Sequence, residues 1–205
     1  MNTPLAERMR PKSLAEYFGQ AHLVGSKGSL TQMIENGVFP SLIFWGPPGT
    51  GKTTLAQLLA KEKERPFYQL SAINAGVKEV REIIQKAENS GGLFSGKSPI
   101  LFIDEIHRFS KAQQDSLLNA VEKGIITLIG ATTENPSFEV INALLSRCQV
   151  YILQALEKKD LKKILTTALK TDNQLNTKDI KIKESEALIE LAGGDARKLL
   201  SLLEL

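Results

Sequence analysis

Apolar residues fall into two alternating rhythms over the first three quarters of the chain. Five short runs rich in β-branched and aromatic side chains, at 41–46 (SLIFWG), 66–72 (PFYQLSA), 99–106 (PILFIDEI), 127–133 (TLIGATT) and 150–153 (VYIL), read as strands. Between them, segments 53–64, 77–89, 112–123 and 138–146 repeat apolar positions every three or four residues, the spacing of a helix with one buried face. Strands alternating with such helices predict a parallel sheet covered by crossover helices. The continuous apolar character of the runs predicts strands buried on both faces.

After Leu156 the strand rhythm stops, and 158–169, 185–192 and 196–205 all carry the helical spacing. The expected fold class is therefore α/β: a five-stranded parallel sheet flanked by helices, followed by a small all-α lid domain. The division is expected near Gln154, giving 1–154 and 155–205. A glycine- and serine-rich stretch at 90–98 (SGGLFSGKS) reads as a flexible connector that could face a channel in a ring. The ending LLSLLEL is apolar and lacks a helix-stop signal, so a chain truncated after this helix is expected.

Composition narrows the class without naming a function. With 205 residues, 42% hydrophobic and 24% charged, the chain is long and apolar enough for a buried core, which excludes a disordered or collagen-like polymer. The balance of 26 basic and 23 acidic residues leaves a net charge of +3, which makes no electrostatic case for a dedicated polyanion binder. The single Cys148 cannot close an internal disulfide and fits a reducing, cytoplasmic setting. No apolar run reaches membrane-spanning length, and the opening MNTPLAERMRPKS lacks a signal-peptide core, so no membrane partner is expected.

Chemistry enters with Gly46-Pro47-Pro48-Gly49-Thr50-Gly51-Lys52-Thr53-Thr54, a phosphate-binding loop set between an apolar strand and a helix. Glycines let the backbone turn its N–H groups inward, and the helix that follows adds its positive end, so the loop cradles phosphates. Lys52 supplies a mobile positive charge for the β- and γ-phosphates and Thr53 a hydroxyl for Mg²⁺, while the β-branched Thr54, last residue of the motif, reads as helix packing. Downstream, ILFIDEIHR sets two carboxylates at the end of a buried strand, where unpaired charge is expensive. Ligands gather at the carboxyl ends of parallel strands, so Asp104 is expected to hold Mg²⁺ and Glu105 to polarise the attacking water. His107 reads as a structural or loop residue, because one histidine supports no metal site.

Hydrolysis also needs groups that sense and stabilise the γ-phosphate. Thr133, ending the fourth strand, can set a hydroxyl beside the attacking water, with Asn135 as the alternative. Arg147, before the fifth strand, and Arg197, opening the last helix, are otherwise surface arginines.

Taken together, these residues resemble the AAA+ ATPases, in their clamp-loader-like branch, and within it the bacterial replication-associated recombination protein A family, related to eukaryotic Werner-helicase-interacting ATPases. The most specific stretch is FIDEIHRFSKAQQDSLLNAVEKGIITLIGATTENPSFEVINALLSRC, at 102–148. The resemblance implies ATP and Mg²⁺ as cofactors, Thr133 as first sensor, Arg147 as an arginine finger reaching a neighbouring subunit's ATP, and Arg197 as second sensor on the lid. It also implies that Arg10, Pro11, Phe18, Gly19, Gln20 and His22, in PLAERMRPKSLAEYFGQAHLVG, fall in or beside the adenine pocket. One departure is Asn119, where the family pattern carries a helix-ending proline.

The function so implied is a DNA-dependent ATPase in replication-fork maintenance, recombination and repair, located in the cytoplasm with the nucleoid. Its implied partners are single-stranded, gapped or duplex-end DNA, single-strand-binding protein, and further copies of itself, as a tetramer formed through a C-terminal region beyond this chain. A clamp-loader subunit and a branch-migration motor are the alternatives, and a non-enzymatic nucleotide switch is opposed by the presence of both Lys52 and Glu105. The lysines at 158, 159, 162 and 163 alternate with Glu157 and Asp160, which marks a solvated face, so no DNA-contact residue is assigned.

Overall fold

A computed structural model describes residues 3–89, 98–177, 180, 182 and 184–205. The expected connector at 90–98 thus lies, Ser98 apart, outside the described residues. Five strands form one sheet: β1 (Ser41–Trp45), β2 (Phe67–Ser71), β3 (Ile100–Asp104), β4 (Thr127–Thr132) and β5 (Cys148–Ile152). Their order is β2-β3-β4-β1-β5, and every neighbouring pair is parallel. The helices, in chain order, are α1 (Leu5–Arg8), α2 (Ala21–Val24), α3 (Ser29–Glu35), α4 (Lys52–Glu62), α5 (Val77–Asn89), α6 (Lys111–Glu122), α7 (Pro136–Glu139), α8 (Asn142–Leu145), α9 (Lys158–Thr171), α10 (Ser185–Ala192) and α11 (Ala196–Glu204).

Burial follows position in the sheet. The central strands β1, β3 and β4 are buried along nearly their whole length, as their unbroken apolar runs require. The expectation of two buried faces fails for β2 and β5, which are edge strands with half-buried or exposed residues throughout. On one face α4 packs Leu55, Ala56 and Leu59 against Phe44, Phe102 and Ala131. On the other, α5 and α6 bring Val80, Ile83, Leu117 and Ala120 onto Ile43, Ile103 and Leu128. Truncating one such fully buried Leu or Ile to Ala costs about 2–5 kcal/mol, so the two faces fix the sheet and thereby the loops at its edge.

Two local predictions are corrected. The helix expected over 138–146 is two single turns, α7 and α8, because Asn135 and Pro136 start a turn that Val140 and Ile141 interrupt in extended conformation. Val140 is 3% exposed and packs into the core, so this break in the helix buries a β-branched side chain that the expected helix did not anticipate. By contrast α6 begins where expected, on a Ser110–Gln113 capping box.

The last three helices share a small core of Leu156, Leu161, Leu165, Ile189, Ala192 and Leu199. The N-terminal helix α1 packs with them: Leu5 is fully buried beside Ala168, Leu175 and Leu200. Arg8 clasps this contact with an ion pair to Asp172 at 2.7 Å and another to Glu204 at 3.1 Å. Glu204 also accepts from the Leu5 N–H at 2.9 Å. The chain between α1 and β1 therefore crosses from the helical layer to the sheet, and it passes the nucleotide motif on the way.

Candidate nucleotide site

The phosphate-binding loop leaves the carboxyl end of β1, where the Gly46 N–H donates to the Thr132 carbonyl of β4 at 3.1 Å. Gly49 and Gly51 take φ of +69° and +92°, the left-handed region that side chains disfavour. Close approach adds to this need, since a Cβ on Gly51 would press on the ring of Tyr17 and one on Gly49 on the carboxylate of Asp195. Tyr17 donates its hydroxyl to the Thr50 carbonyl at 3.0 Å, and its burial pushes the phenol pKa upward. Tyr17 and Asp195 are loop supports that sequence reasoning missed; the glycines at 49 and 51, which leave room for a close neighbour, were the only signal.

Lys52 opens α4 and is 7% exposed, with Nζ donating to the carbonyls of Gly46 at 2.7 Å and Pro47 at 2.9 Å. Burial lowers its pKa, while the charges of Glu105 and Asp104 act in the opposite sense. Arg197 lowers it further, and this arginine lines the same cavity as Gly49, Thr50 and Gly51. Asp104, ending β3, is shifted upward, first by burial and then by neighbouring Glu105, against the pull of Lys52 and Arg197. A carboxylate whose charge is disfavoured by burial and by a neighbouring acid is one that a divalent cation would relieve. Among the described residues no cluster of three or more acidic, histidine or cysteine ligands exists. Mg²⁺ binds through one or two protein oxygens plus phosphates and water rather than in an all-protein cage. Asp104 and the hydroxyl of Thr53 are the groups that would hold it.

Glu105 has φ 54° and ψ 48°, left-handed geometry in a side-chain-bearing residue, a strain of roughly 1–3 kcal/mol that clusters at functional positions. Its Oε2 accepts from the Thr133 hydroxyl at 3.3 Å and stands 3.3 Å from His107 Nδ1. Asn135 lies elsewhere in use: its Oδ1 caps α7 by accepting from the Ser137 N–H at 3.0 Å. Of the two first-sensor candidates, Thr133 is the one in contact with the acid.

Beside the loop opens a cavity of about 730 Å³, bounded by Arg10, Pro11, Phe18, Thr54 and Arg197. This volume is that of a small-molecule site. Arg10 is held there by Gln57 at 3.1 Å and Glu7 at 2.5 Å. Gly19, Gln20 and His22 do not line the cavity. The Gln20 amide instead donates to the Gln154 carbonyl at 2.6 Å and accepts from the Gln154 N–H at 2.9 Å. His22 Nε2 stands 2.9 Å from the Ile152 carbonyl. Gly19 lies against Leu156 and Asp160, where a Cβ would collide.

Arg147 sits at the opposite end of the sheet. It precedes β5, whose first residue pairs with Ser41, whereas the phosphate loop follows Trp45 at the far end of β1. Five residues of strand, roughly 16 Å, separate them. Its guanidinium pairs with Glu122 at 2.5 Å and donates to the Ala143 carbonyl at 2.6 Å.

A parallel five-stranded sheet with a glycine-rich loop after its inner strand β1, a paired-acid strand end and an arginine-bearing helix beside the cavity defines a nucleotide-binding fold of the P-loop type. Residues 42–156 match the family described as "ATPase family associated with various cellular activities (AAA)", and the chain belongs to that family. It is 49% identical, over 98% of its length, to Replication-associated recombination protein A of Coxiella burnetii, and 47% identical to that of Escherichia coli K12. It is also 45% identical to ATPase WRNIP1 of Dictyostelium discoideum. The resemblance drawn from 102–148 is thus borne out. The chain spans 46% of the first of these relatives and 23% of the last. Among solved structures, the Thermotoga maritima RuvB Holliday junction branch migration motor superposes with TM-score 0.74 and 29% identity, covering 96% of this chain and 64% of that one.

Proposed function

We propose that this chain is the ATP-binding and hydrolysing part of an ATPase acting on DNA in replication-fork maintenance and recombination. The observation that supports it best is the convergence of Lys52, Asp104, Glu105, Thr133 and Arg197 on one loop and cavity, in a chain half identical to replication-associated recombination proteins. In this reading residues 1–154 form the nucleotide-binding domain and 155–205 the lid, with the adenine against Arg10, Pro11 and Phe18 and the triphosphate on residues 46–54.

Each group has a physical task. Lys52 and the N–H groups at the start of α4 neutralise the phosphates. Thr53 and Asp104 would hold Mg²⁺, which supplies charge neutralisation between the β- and γ-phosphates. Glu105 accepts the proton of the attacking water, and Thr133, just past the end of β4, holds that carboxylate. Arg197 reports the γ-phosphate to α11. Arg147 stands a strand length from its own loop, so it serves the ATP of an adjacent copy, and the complete protein works as an oligomer, expected to be a tetramer.

The test is ATP turnover by the complete protein with and without single strands, gapped duplexes and duplex ends at low salt. Stimulation by DNA supports the reading; an unchanged rate on all three removes the DNA-dependent part. The RuvB likeness makes a branch-migration motor the second reading, ranked lower because identity falls from 49% to 29%. Migration of a four-way junction driven by ATP would reverse that order.

A further inference from the structure

His107 follows Glu105 by two residues, a spacing that in a continuous helix sends side chains to different faces. Here the left-handed turn at Glu105 and a single 3₁₀ turn over Ile106–Arg108 fold the chain back, closed by the Arg108 N–H on the Glu105 carbonyl at 2.8 Å. The imidazole consequently returns over the carboxylate, with a side chain only 12% exposed.

The hydrogen bonds assign the ring its tautomer. The Thr132 hydroxyl, fully buried, accepts from the Glu134 N–H at 3.0 Å and donates to the Glu134 carbonyl at 3.1 Å. With that proton on the Glu134 carbonyl, the 3.0 Å contact to His107 takes Nδ1 as its donor. Glu105 Oε2 stands 3.3 Å from the same Nδ1. Both the Thr133 and the His107 contacts fall on Oε2 rather than Oε1.

We propose that His107 is a positioning residue for hydrolysis, tying the Glu105 carboxylate to the end of β4 through Thr132 so that its second oxygen addresses the attacking water. This rests on the reading of Glu105 as the proton acceptor. Two adjacent threonines then share one duty from the same strand end: Thr133 touches the carboxylate itself, and Thr132 anchors the ring that steadies it.

The test is single-turnover ATP hydrolysis by the complete protein at saturating ATP, beside ATP affinity measured by equilibrium binding. His107→Leu is expected to slow hydrolysis about ten- to hundred-fold, the scale of a misplaced reacting group, with affinity unchanged within about twofold. His107→Asn, whose amide N–H falls near Nδ1, is expected to recover much of the loss. Adding His107→Leu to Glu105→Gln should cost nothing further, because residues acting through one another are non-additive. If Glu105→Gln abolishes hydrolysis while His107→Leu matches the parent, the positioning role is overturned and Glu105 stands. If both His107 variants are equally slow and bind ATP poorly, the role is structural and the inference falls. If Glu105→Gln itself hydrolyses normally, the reading of Glu105 fails first.

Discussion

The carboxylate of Asp195 occupies the space that a Cβ on Gly49 would require, and the next residue, Ala196, donates its N–H to the Gly49 carbonyl at 3.2 Å. The amino end of α11 is thus seated directly on the phosphate loop, with Asp195 also capping that helix through the Lys198 N–H at 2.9 Å. Gly49→Ala combines a φ of +69° with this collision. It is expected to lift α11 off the loop and weaken ATP binding at least tenfold in a titration, while the melting temperature, set by the two sheet cores, changes little.

Lys52→Ala removes the ammonium that the loop carbonyls of Gly46 and Pro47 hold in place. Charge-assisted hydrogen bonds of this kind contribute roughly 1.5–3 kcal/mol each. Equilibrium binding should show ATP affinity falling by one to two orders of magnitude; unchanged affinity would remove Lys52 from the phosphate contacts.

Arg147→Ala leaves every group around the loop untouched, so ATP binding should persist. Turnover by the complete protein is expected to drop by about 10³ to 10⁵, the worth of an arginine finger. Mixing it with Glu105→Gln should restore part of the rate, since a mixed interface can pair an intact loop with an intact finger. No recovery on mixing would argue against service in trans.

The Arg8 contact holds the Asp172 carboxyl below the usual carboxylate range. A depressed folded value means that Asp172 contributes stability above the unfolded carboxylate value and loses it as pH falls through the folded one. Asp172→Asn should lower the melting temperature at pH 7, and the gap to the parent should close in acid below both values. A gap independent of pH would mean that the ion pair is not its source.

Burial pushes the Cys148 thiol up to about 12. At neutral pH almost none is thiolate, the reactive form. A disulfide reagent should therefore modify the folded protein far more slowly than the unfolded chain.

Legibility in the sequence tracked locality. Strands β1, β3 and β4 were readable because unbroken apolar runs admit one burial pattern, and the phosphate loop because its spacing is its mechanism. What escaped depended on chain reversal or on distant partners. His107 looked structural because only the left-handed turn at Glu105 returns it to the acid. The docking of Leu5 beside Leu200 joins residues from opposite ends of the chain, beyond the reach of periodicity. The adenine-side residues divided for the same reason: Arg10, Pro11 and Phe18 line the cavity, while Gln20 and His22 serve Gln154 and Ile152.

Gln20 and His22 also guard an edge of the sheet. Strand β5 is one of the sheet's two margins, with Val150 and Ile152 about half exposed. Leu153 donates to Trp45, so the alternating groups of Ile152 and Gln154 point outward, where another strand could add. His22 and Gln20 meet the Ile152 carbonyl and both backbone groups of Gln154. Two side chains thereby imitate a sixth strand without being one, and they deny the carboxyl end of this margin to edge-to-edge aggregation.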